Sequence, residues 1–287
     1  MIIYCIDMKE KISASVGILT FNNETTIRQA IESVSDFAQI IVCDGGSTDK
    51  TLEIAKEYNA YIIHQNSAFK DSDRKLIDYS GPRNQMLNAA QFDWFTFVDS
   101  DETFSSELVA SISSIVKAGE YNSVYKMHRK FVYKGNIINC CIAYPNFQVR
   151  LFRISEVNGF IKPIHERIDY STDISVKDLI GYLHVPLDLT ADDLKRKWRR
   201  YLIMQDSFLA KSNFQKVVYS FYFLLKYSLV YGVRLLKCRL FYRGHKLPIN
   251  LELVWFWQLF KTFKMNVVNL ISKKTKFAKQ FLNGVKG

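Results

Sequence analysis

The first hundred residues alternate between short apolar runs and amphipathic stretches, separated by turn residues. Apolar runs rich in β-branched residues predict strands, and apolar positions three to four residues apart predict helices. The predicted strands are residues 12–20, 39–43, 60–65 and 94–98, and the predicted helices are residues 25–34, 50–58, 83–90 and 105–116. Strands that alternate with helices indicate an α/β domain with a mostly parallel sheet.

Polar side chains follow three of these strands directly. Asn23 comes after the first strand, Asp44 after the second, and Asp99 after the strand that contains Phe97 and Val98. In open parallel sheets, ligands bind beyond the carboxyl ends of the strands. We therefore expect these three side chains to converge on one cleft.

The pattern changes twice along the rest of the chain. Residues 120–190 are rich in β-branched and aromatic residues and predict antiparallel hairpins followed by loops, whereas the residues after 190 predict long, basic, aromatic helices. The expected fold is thus a mixed sheet flanked by helices, with a basic helical region at the C-terminal end. We assign residues 1–190 to the sheet domain and residues 191–287 to the helical region.

The charge distribution supports this division. The net charge is +11 over 287 residues, but residues 191–287 carry 20 Lys and Arg against 4 Asp and Glu. The first 190 residues hold the remaining 19 basic and 24 acidic residues. A mildly acidic N-terminal part and a strongly basic C-terminal part indicate two different roles.

The cysteines and the N-terminus point to a reducing compartment. Five cysteines with no C-x-x-C spacing argue against a disulfide framework or a zinc ribbon. The first twelve residues contain acidic side chains and no long apolar stretch, so they do not predict a secretory signal. No run of about 18 uncharged apolar residues predicts a membrane-spanning helix. These features predict a cytoplasmic protein.

The stretch FTFVDSDE places three carboxylates within four positions at the end of a predicted buried strand. Asp99 and Asp101 repel each other when both are ionised, and a divalent cation removes that penalty. Mg²⁺ and Mn²⁺ prefer oxygen ligands and are often held by one or two carboxylates plus substrate phosphates. The alternative is structural, with Asp101 and Glu102 capping the helix that follows.

Several motifs resemble, in order and spacing, those of the glycosyltransferase family 2 proteins, which are nucleotide-sugar enzymes with the GT-A fold. They are Thr20 with Asn23-Glu24, IIVCDGGSTDKT at 40–51, GPRNQMLNAA at 81–90, FVDSDE at 97–102, and the His-Glu pair in Ile164-His165-Glu166-Arg167. The resemblance covers about residues 12–190 and is closest to the branch of bacterial lipopolysaccharide-core glycosyltransferases. It implies a GT-A-type nucleotide-binding sheet.

The resemblance also implies roles for individual residues. Asp44 and Glu24 would contact the base or ribose of a nucleotide, most simply UDP, and Arg83 and Asn84 would face the diphosphate or the donor sugar. The expected donor-site residues are Thr20, Asn23, Glu24, Asp44, Gly45, Arg83, Asn84, Asp99 and Ser100. Gly45 stands where many family members have a second Asp. An Asx turn at Asp44 is the structural alternative, and one carboxylate oxygen would still be free for the base.

A catalytic base and a metal shell complete the expected site. Glu166 is the candidate base, with Asp169 in reserve, although many relatives carry a Glu-Asp pair where this chain has His-Glu. Single-displacement transfer needs such a base to accept the proton of the attacking hydroxyl. Asp99, Asp101 and His184 are the expected ligands of Mn²⁺ or Mg²⁺.

The C-terminal region combines cations with aromatic residues. Residues 194–201 hold five cations, and residues 217–225 and 251–260 are strongly apolar. This combination favours helices that lie on an anionic membrane surface. The alternatives are packing onto the catalytic domain and homo-oligomerisation through the helices. No nucleic-acid-binding module is recognisable.

Together these features predict a metal-dependent inverting glycosyltransferase at the inner face of the cell membrane. Its donor would be a nucleotide sugar, and its acceptor a lipid-linked or cell-surface glycan such as lipopolysaccharide core. A non-catalytic nucleotide-sugar-binding scaffold at the membrane is the alternative. A nucleotidyltransferase is less favoured, because it needs a Gly-rich phosphate loop that is absent from residues 20–24.

Overall fold

The computed structural model describes the backbone of residues 10–73, 75–208 and 212–284. The side chains of residues 203–208 and 273–284 are not described. The N-terminal segment considered above as a signal, including Cys5, lies largely outside these residues. By its internal contacts the chain divides into two units, one of residues 1–132 and 145–186, the other of residues 133–144 and 187–287.

The first unit is built on a mixed sheet with strand order β3-β2-β1-β4-β8-β6-β11-β5. Its first four strands are parallel, as predicted, and β8 then pairs antiparallel with both β4 and β6. The strands are β1 Ile12–Thr20, β2 Phe37–Asp44, β3 Tyr61–His64, β4 Trp94–Asp99, β5 Thr103–Phe104, β6 Ser123–Tyr133, β8 Phe147–Arg153 and β11 Ser175–Pro186. The predicted mixed sheet flanked by helices is confirmed.

Helices and a small second sheet cover this mixed sheet. The helices are α1 Ile27–Ser33, α2 Thr51–Glu57, α3 Ser80–Asn88 and α4 Ser106–Ala118, and the second sheet consists of β9 Val157–Ile161 and β10 Arg167–Tyr170. From Trp94 to Val98 the strand β4 is apolar except for the buried Thr96, and both of its faces are covered. Trp94 and Val98 pack with α1, α2 and α4, and Phe95 and Phe97 pack with α3, β9 and β10. A strand buried on both faces has no polar alternation.

Neither acidic residue proposed as a helix cap begins α4. The N-cap is Ser105, whose Oγ accepts a hydrogen bond from the Leu108 backbone N–H at 3.2 Å. Asp101 and Glu102 lie in the turn before β5 instead. The structural alternative for the acidic stretch is therefore wrong, because the hydroxyl three residues further on already serves the helix.

The second unit is mostly helical. It contains β7 Asn136–Ile137, α5 Ala191–Phe208, α6 Asn213–Leu240 and α7 Ile249–Gly284. The helices α6 and α7 form an antiparallel pair, joined by contacts between the rings of Phe221 and Phe263 (5.5 Å) and of Tyr231 and Phe256 (5.8 Å). Across the described residues, no helix combines enough length with enough apolar character to span a membrane.

The second unit contains a disulfide, whereas the cysteine spacing had argued against disulfides. Cys140 and Cys238 are bonded to each other, 98 residues apart in sequence, and Cys43 and Cys141 are free and buried. Cys140 belongs to the 133–144 segment and Cys238 to α6. The local spacing rules failed here because the pairing depends on the tertiary approach of two distant segments.

Candidate active site

The loops that follow β1, β2 and β4 meet at one edge of the sheet. Thr20 is in register with Asp44, and Leu19 with Asp99, so the ends of three strands lie side by side. The side-chain oxygen of Asn23 accepts hydrogen bonds from the Thr20 hydroxyl (3.2 Å) and the Ser100 hydroxyl (2.8 Å). This amide oxygen thus ties the first loop to the acidic turn after β4.

Both side-chain oxygens of Asp44 accept hydrogen bonds within the turn that follows β2. Its side chain is fully buried, Oδ2 accepts hydrogen bonds from the backbone N–H groups of Gly46 (2.8 Å) and Ser47 (3.0 Å), and Oδ1 accepts from the Ser47 hydroxyl (2.5 Å). The expectation that one oxygen stays free is wrong for this structure. Contact between Asp44 and a base stays a prediction, and it requires this turn to rearrange.

The loop after β2 is joined to the first loop by further backbone bonds. Glu24, which is exposed, accepts a hydrogen bond from the Lys50 N–H at 3.0 Å. Gly45 donates its N–H to the Thr20 carbonyl (2.8 Å), and its carbonyl accepts from Lys70 Nζ (2.7 Å). A Cβ at Gly45 would lie 3.0 Å from Phe21 Cβ, so a side chain there would crowd Phe21. The glycine therefore allows close packing of the two loops.

Arg83 lies at the centre of the site. Its side chain is only 2% exposed, and it donates to Asp99 Oδ1 through Nη2 while Nε lies 3.5 Å from Glu166 Oε1. Its guanidinium also lies 4.4 Å from the Phe97 ring centroid. Arg83 Nε and Nη1 are buried without a hydrogen-bond partner. One arginine thus connects the acidic turn to the candidate base and retains buried donor capacity.

Two further arginines, not selected from the sequence, complete an ionic cluster around the acidic turn. Arg150 contacts Glu102 Oε2 at 3.0 Å and lies 3.7 Å from Asp99 Oδ2. Arg129 donates to Glu102 Oε1 at 2.7 Å. Glu102 is 1% exposed and Arg150 is 2% exposed. Arg150 stands between the apolar residues Val149 and Leu151 in the strand FQVRLFR, and a buried charge requires a partner. This position in the sequence was the signal for a buried ion pair.

The cluster determines the charge state of Asp99. Burial by itself would raise the pKa of Asp99, but the positive charges of Arg83 and Arg150 outweigh it and hold that pKa well below its usual range. Asp99 is therefore ionised throughout the neutral range. Ion pairing of this kind is the usual cause of a depressed carboxyl pKa.

The folded-state shift of Asp99 leads to a pH prediction. A carboxyl with a depressed folded pKa stabilises the fold fully above its unfolded pKa, which is about 3.9, and loses that contribution as the pH falls towards the folded pKa. Asp99→Asn is thus expected to lower the free energy of unfolding near pH 7, by an amount that shrinks below about pH 4. Urea unfolding between pH 3 and pH 7 measures this. Asp73→Asn, at a 70% exposed side chain, is the control, and a pH-independent cost at Asp99 would contradict the prediction.

Asn84 does not extend towards the acidic turn. Its Nδ2 donates to the Phe160 carbonyl (3.0 Å) and its Oδ1 accepts from the Phe160 N–H (2.7 Å), so the amide pairs with β9 as a strand backbone would. A Cβ on the neighbouring Gly159 would lie 2.9 Å from this Oδ1. In this structure Asn84 positions the small sheet against α3, and its contact with the donor stays a prediction.

The small sheet carries both candidate bases. Glu166 and Asp169 line a pocket of about 300 Å³ whose other lining residues are Phe97, Gln148, Val149, Arg167, Ile168 and Tyr170. The Glu166 side chain is 15% exposed and lies next to Arg83, whereas Asp169 Oδ2 accepts from Asn158 Nδ2 at 3.1 Å. Of the two carboxylates, Glu166 is the one joined through Arg83 to the acidic turn.

The expected three-ligand metal shell is not assembled. Asp101 is exposed, and His184 is half-buried on β11 opposite Thr103. Within the described ranges, no three His, Cys, Asp or Glu side chains come together in an arrangement that would hold a metal ion. Burial, with a smaller effect from Lys130, lowers the pKa of His184, which favours the neutral imidazole. The oxygen donors at this turn are Asp99 and Asp101, a set that fits a cation completed by substrate phosphates and water.

Comparison with known proteins identifies a matching family and related chains. A model of the family described as Glycosyl transferase family 2 matches residues 15–163, more than half of the chain. The SPbeta prophage-derived glycosyltransferase SunS of Bacillus subtilis is 25% identical over 199 residues, 67% of this chain and 44% of that protein. An uncharacterized glycosyltransferase of Rickettsia bellii is 33% identical over 183 residues, 62% of this chain and 58% of that protein.

The chain spans about half the length of the curated relatives it matches. Among solved structures, that of S. aureus TarS residues 1–349 is 16% identical, with a TM-score of 0.43 over 87% of this chain and 80% of that one. The match to the family model extends from β1 through the acidic turn to β9 and ends just before Glu166. On that match, the chain belongs to glycosyl transferase family 2.

Proposed function

We propose that the chain is a metal-dependent inverting glycosyltransferase that uses a nucleotide-sugar donor, with UDP as the nucleotide. Its acceptor would be a hydroxyl of a lipid-linked or cell-surface glycan such as lipopolysaccharide core. The observation that carries the proposal is Arg83, which joins Asp99 to Glu166 beside a pocket of about 300 Å³ in a family 2 chain. Asp99, the proposed cation ligand, and Glu166, the proposed base, thus both lie next to the buried Arg83 guanidinium.

On the donor side, the joined loops after β1 and β2 would hold the nucleoside, with Glu24 and Asp44 as hydrogen-bond acceptors. Arg83 would face the diphosphate, because a guanidinium matches the geometry of phosphate oxygens and this one has unused buried donors. Asp101 and Asp99 would hold Mn²⁺ or Mg²⁺. His184 would contact that cation or the diphosphate. When bound, such a cation supplies neutralisation of the departing diphosphate.

On the acceptor side, Glu166 is proposed as the general base. The acceptor oxygen attacks the anomeric carbon from the face opposite the diphosphate while its proton passes to a Glu166 carboxylate oxygen. The bond between the anomeric carbon and the diphosphate oxygen breaks, and its electron pair leaves with the nucleoside diphosphate. Attack opposite the leaving group gives inversion. The 15% exposure of Glu166 restricts competing water.

A panel of nucleotide sugars with Mn²⁺ tests the proposal. We expect slow release of nucleoside diphosphate from a UDP-sugar, with loss of at least about 10²-fold in Asp101→Ala, because transition-state charge stabilisation of this kind has that magnitude. Glu53→Ala, at an exposed carboxylate on α2, is the control and should keep full activity. If no donor gave release of nucleoside diphosphate or a thermal shift, the proposal would be wrong. Binding of UDP without turnover across many acceptors would instead favour the non-catalytic scaffold.

We also propose that residues 1–190 carry the catalysis and that residues 191–287 bring the protein to the cytoplasmic face of the membrane. A lipid-linked acceptor is confined to that surface, so a protein held there meets it at a higher local concentration. The proposal draws support from the basic charge of the C-terminal residues.

A further inference from the structure

We propose that one exposed face of α6 is the surface that docks on anionic lipid bilayers. The face is a row of apolar side chains three or four residues apart, each at least 51% exposed, which we name the α6 stripe. Its members are Phe214, Val218, Tyr222, Leu225, Leu229, Val233, Leu236 and Leu240. At 1.5 Å per residue the stripe runs for about 40 Å along the helix. Soluble monomers rarely expose an apolar patch of this extent without a partner.

The opposite side of α6 is already occupied. Phe221 lies against Phe263 of α7 at the edge of that side, Tyr231 lies against Phe256, and Cys238 is bonded to Cys140. Asn266 of α7 donates to the Lys216 carbonyl at 3.3 Å. The packing side of the helix is thus defined by specific contacts, and the stripe is a second, separate apolar face.

The charges around the stripe identify its occupant as anionic. After Asp206 the sequence contains a single acidic residue, Glu252. That carboxylate is fully buried and accepts from Arg239 Nη2 at 3.0 Å. Lys226, Lys237 and Arg243 are exposed on α6 or just beyond its end. Among the described residues of α6 and α7, exposed cations are therefore accompanied by no exposed carboxylate.

This charge pattern favours a lipid surface over a second copy of the chain. A second copy would bring the same cations against the stripe, and like charges across an interface are unfavourable. An anionic leaflet offers the opposite charge, and each cation near it adds to binding. Apolar side chains with flanking Lys and Arg are the composition of helices that lie in the membrane interface.

The other two segments expected at a membrane have different surroundings. In the basic segment of α5, Lys195 pairs with Asp192 (3.1 Å), Arg196 pairs with Asp193, and Arg199 lies 5.5 Å from the ring of Trp257. In the apolar segment 251–260, the apolar residues Leu251, Val254 and Trp255 are buried together with Glu252, and Leu253 and Phe260 are exposed. Of the three segments expected at a membrane, residues 217–225 are therefore favoured, and they lie on α6.

Vesicle flotation with the full chain tests the proposal. We expect binding to phosphatidylglycerol vesicles, weak binding to phosphatidylcholine vesicles, and weakening by added salt. Leu225→Gln/Leu229→Gln/Leu236→Gln should weaken binding by about 30-fold or more, because three apolar side chains leave the acyl boundary. Lys226→Gln/Lys237→Gln should weaken it by about 30-fold, from two cations. Val176→Gln/Ile180→Gln, at exposed apolar residues of β11, is the matched control and should bind unchanged.

Each other outcome would overturn the proposal. Equal vesicle binding by the triple variant and the parent chain would remove the stripe as the docking surface. A dimer that the triple variant abolishes, without vesicle binding, would assign the stripe to a second copy. Circular dichroism shows whether the variants keep their helices. The proposal rests on the proposed function only for the membrane location of the acceptor, and release of nucleoside diphosphate from a soluble donor tests that function separately.

Discussion

Glu166→Gln is expected to lower kcat for sugar transfer by about 10²- to 10⁴-fold, the range typical of a lost general base. Glutamine keeps the size of the side chain and an oxygen 3.5 Å from Arg83 Nε, so the surroundings of the buried guanidinium change little in shape. Binding of the nucleotide should change little, because Glu166 lines a pocket with Ile168 and Tyr170 whose lining includes no residue of the loop after β2. Single-turnover transfer and calorimetric titration with UDP measure the two effects.

Asp169→Asn is the matched variant for this experiment. Its carboxylate lines the same pocket but is paired with Asn158 and makes no contact with Arg83 that we observe. We expect a small change in kcat. Loss of transfer in Asp169→Asn together with full activity in Glu166→Gln would exchange the two assignments. Equal losses would show that the base cannot be separated from the shape of the pocket.

Glu102→Gln is expected to lower the free energy of unfolding by about 3–5 kcal/mol, the cost of leaving a buried charge without its counterion. Glu102 is 1% exposed and is the carboxylate that meets both Arg129 and Arg150. Arg150 is 2% exposed, so water does not replace the lost partner. Urea unfolding at neutral pH measures the effect.

Glu57→Gln provides the comparison for a pair at the surface. Glu57 Oε2 lies 2.7 Å from Arg28 Nη2, a shorter contact than that of Glu102 with Arg150, but both side chains are about half exposed. Exposed ion pairs contribute little because water screens them. We expect a much smaller loss of stability at Glu57. A loss below about 1 kcal/mol at Glu102 would show that the buried cluster is not a structural element.

The predictions for Glu166 and Glu102 separate a catalytic role from a structural role within the ionic cluster around the acidic turn. Glu102 and Arg150 neutralise each other under the acidic turn, and Asp99 receives a hydrogen bond from Arg83 on the side nearer to Glu166. The Asp99 backbone N–H also donates to Glu102 Oε2 at 3.2 Å, which fixes the turn. Glu102 therefore positions Asp99, and its loss should affect folding before it affects chemistry.

The sequence by itself determined the strands, the helices and the class of the sheet. The largely apolar sequence of β4, with bulky side chains on both faces, indicated burial on both faces, and the alternation of strands with helices indicated parallel pairing. It also located the ends of β1, β2 and β4 as the place where polar loops meet. These features follow from local periodicity and chain connectivity, which are visible without coordinates.

Only the tertiary structure decided which polar groups form hydrogen bonds and ion pairs with each other. Asp44 is taken up by its own turn and Asn84 by β9, while Arg150 and Arg129 enter the acidic turn from strands that lie far away in sequence. The pairing of Cys140 with Cys238 was hidden for the same reason. A hydrogen bond, an ion pair or a disulfide depends on distances of a few ångströms between segments that sequence spacing does not relate. The same holds for α6, where packing against α7 buries one side of the helix and leaves the apolar stripe exposed.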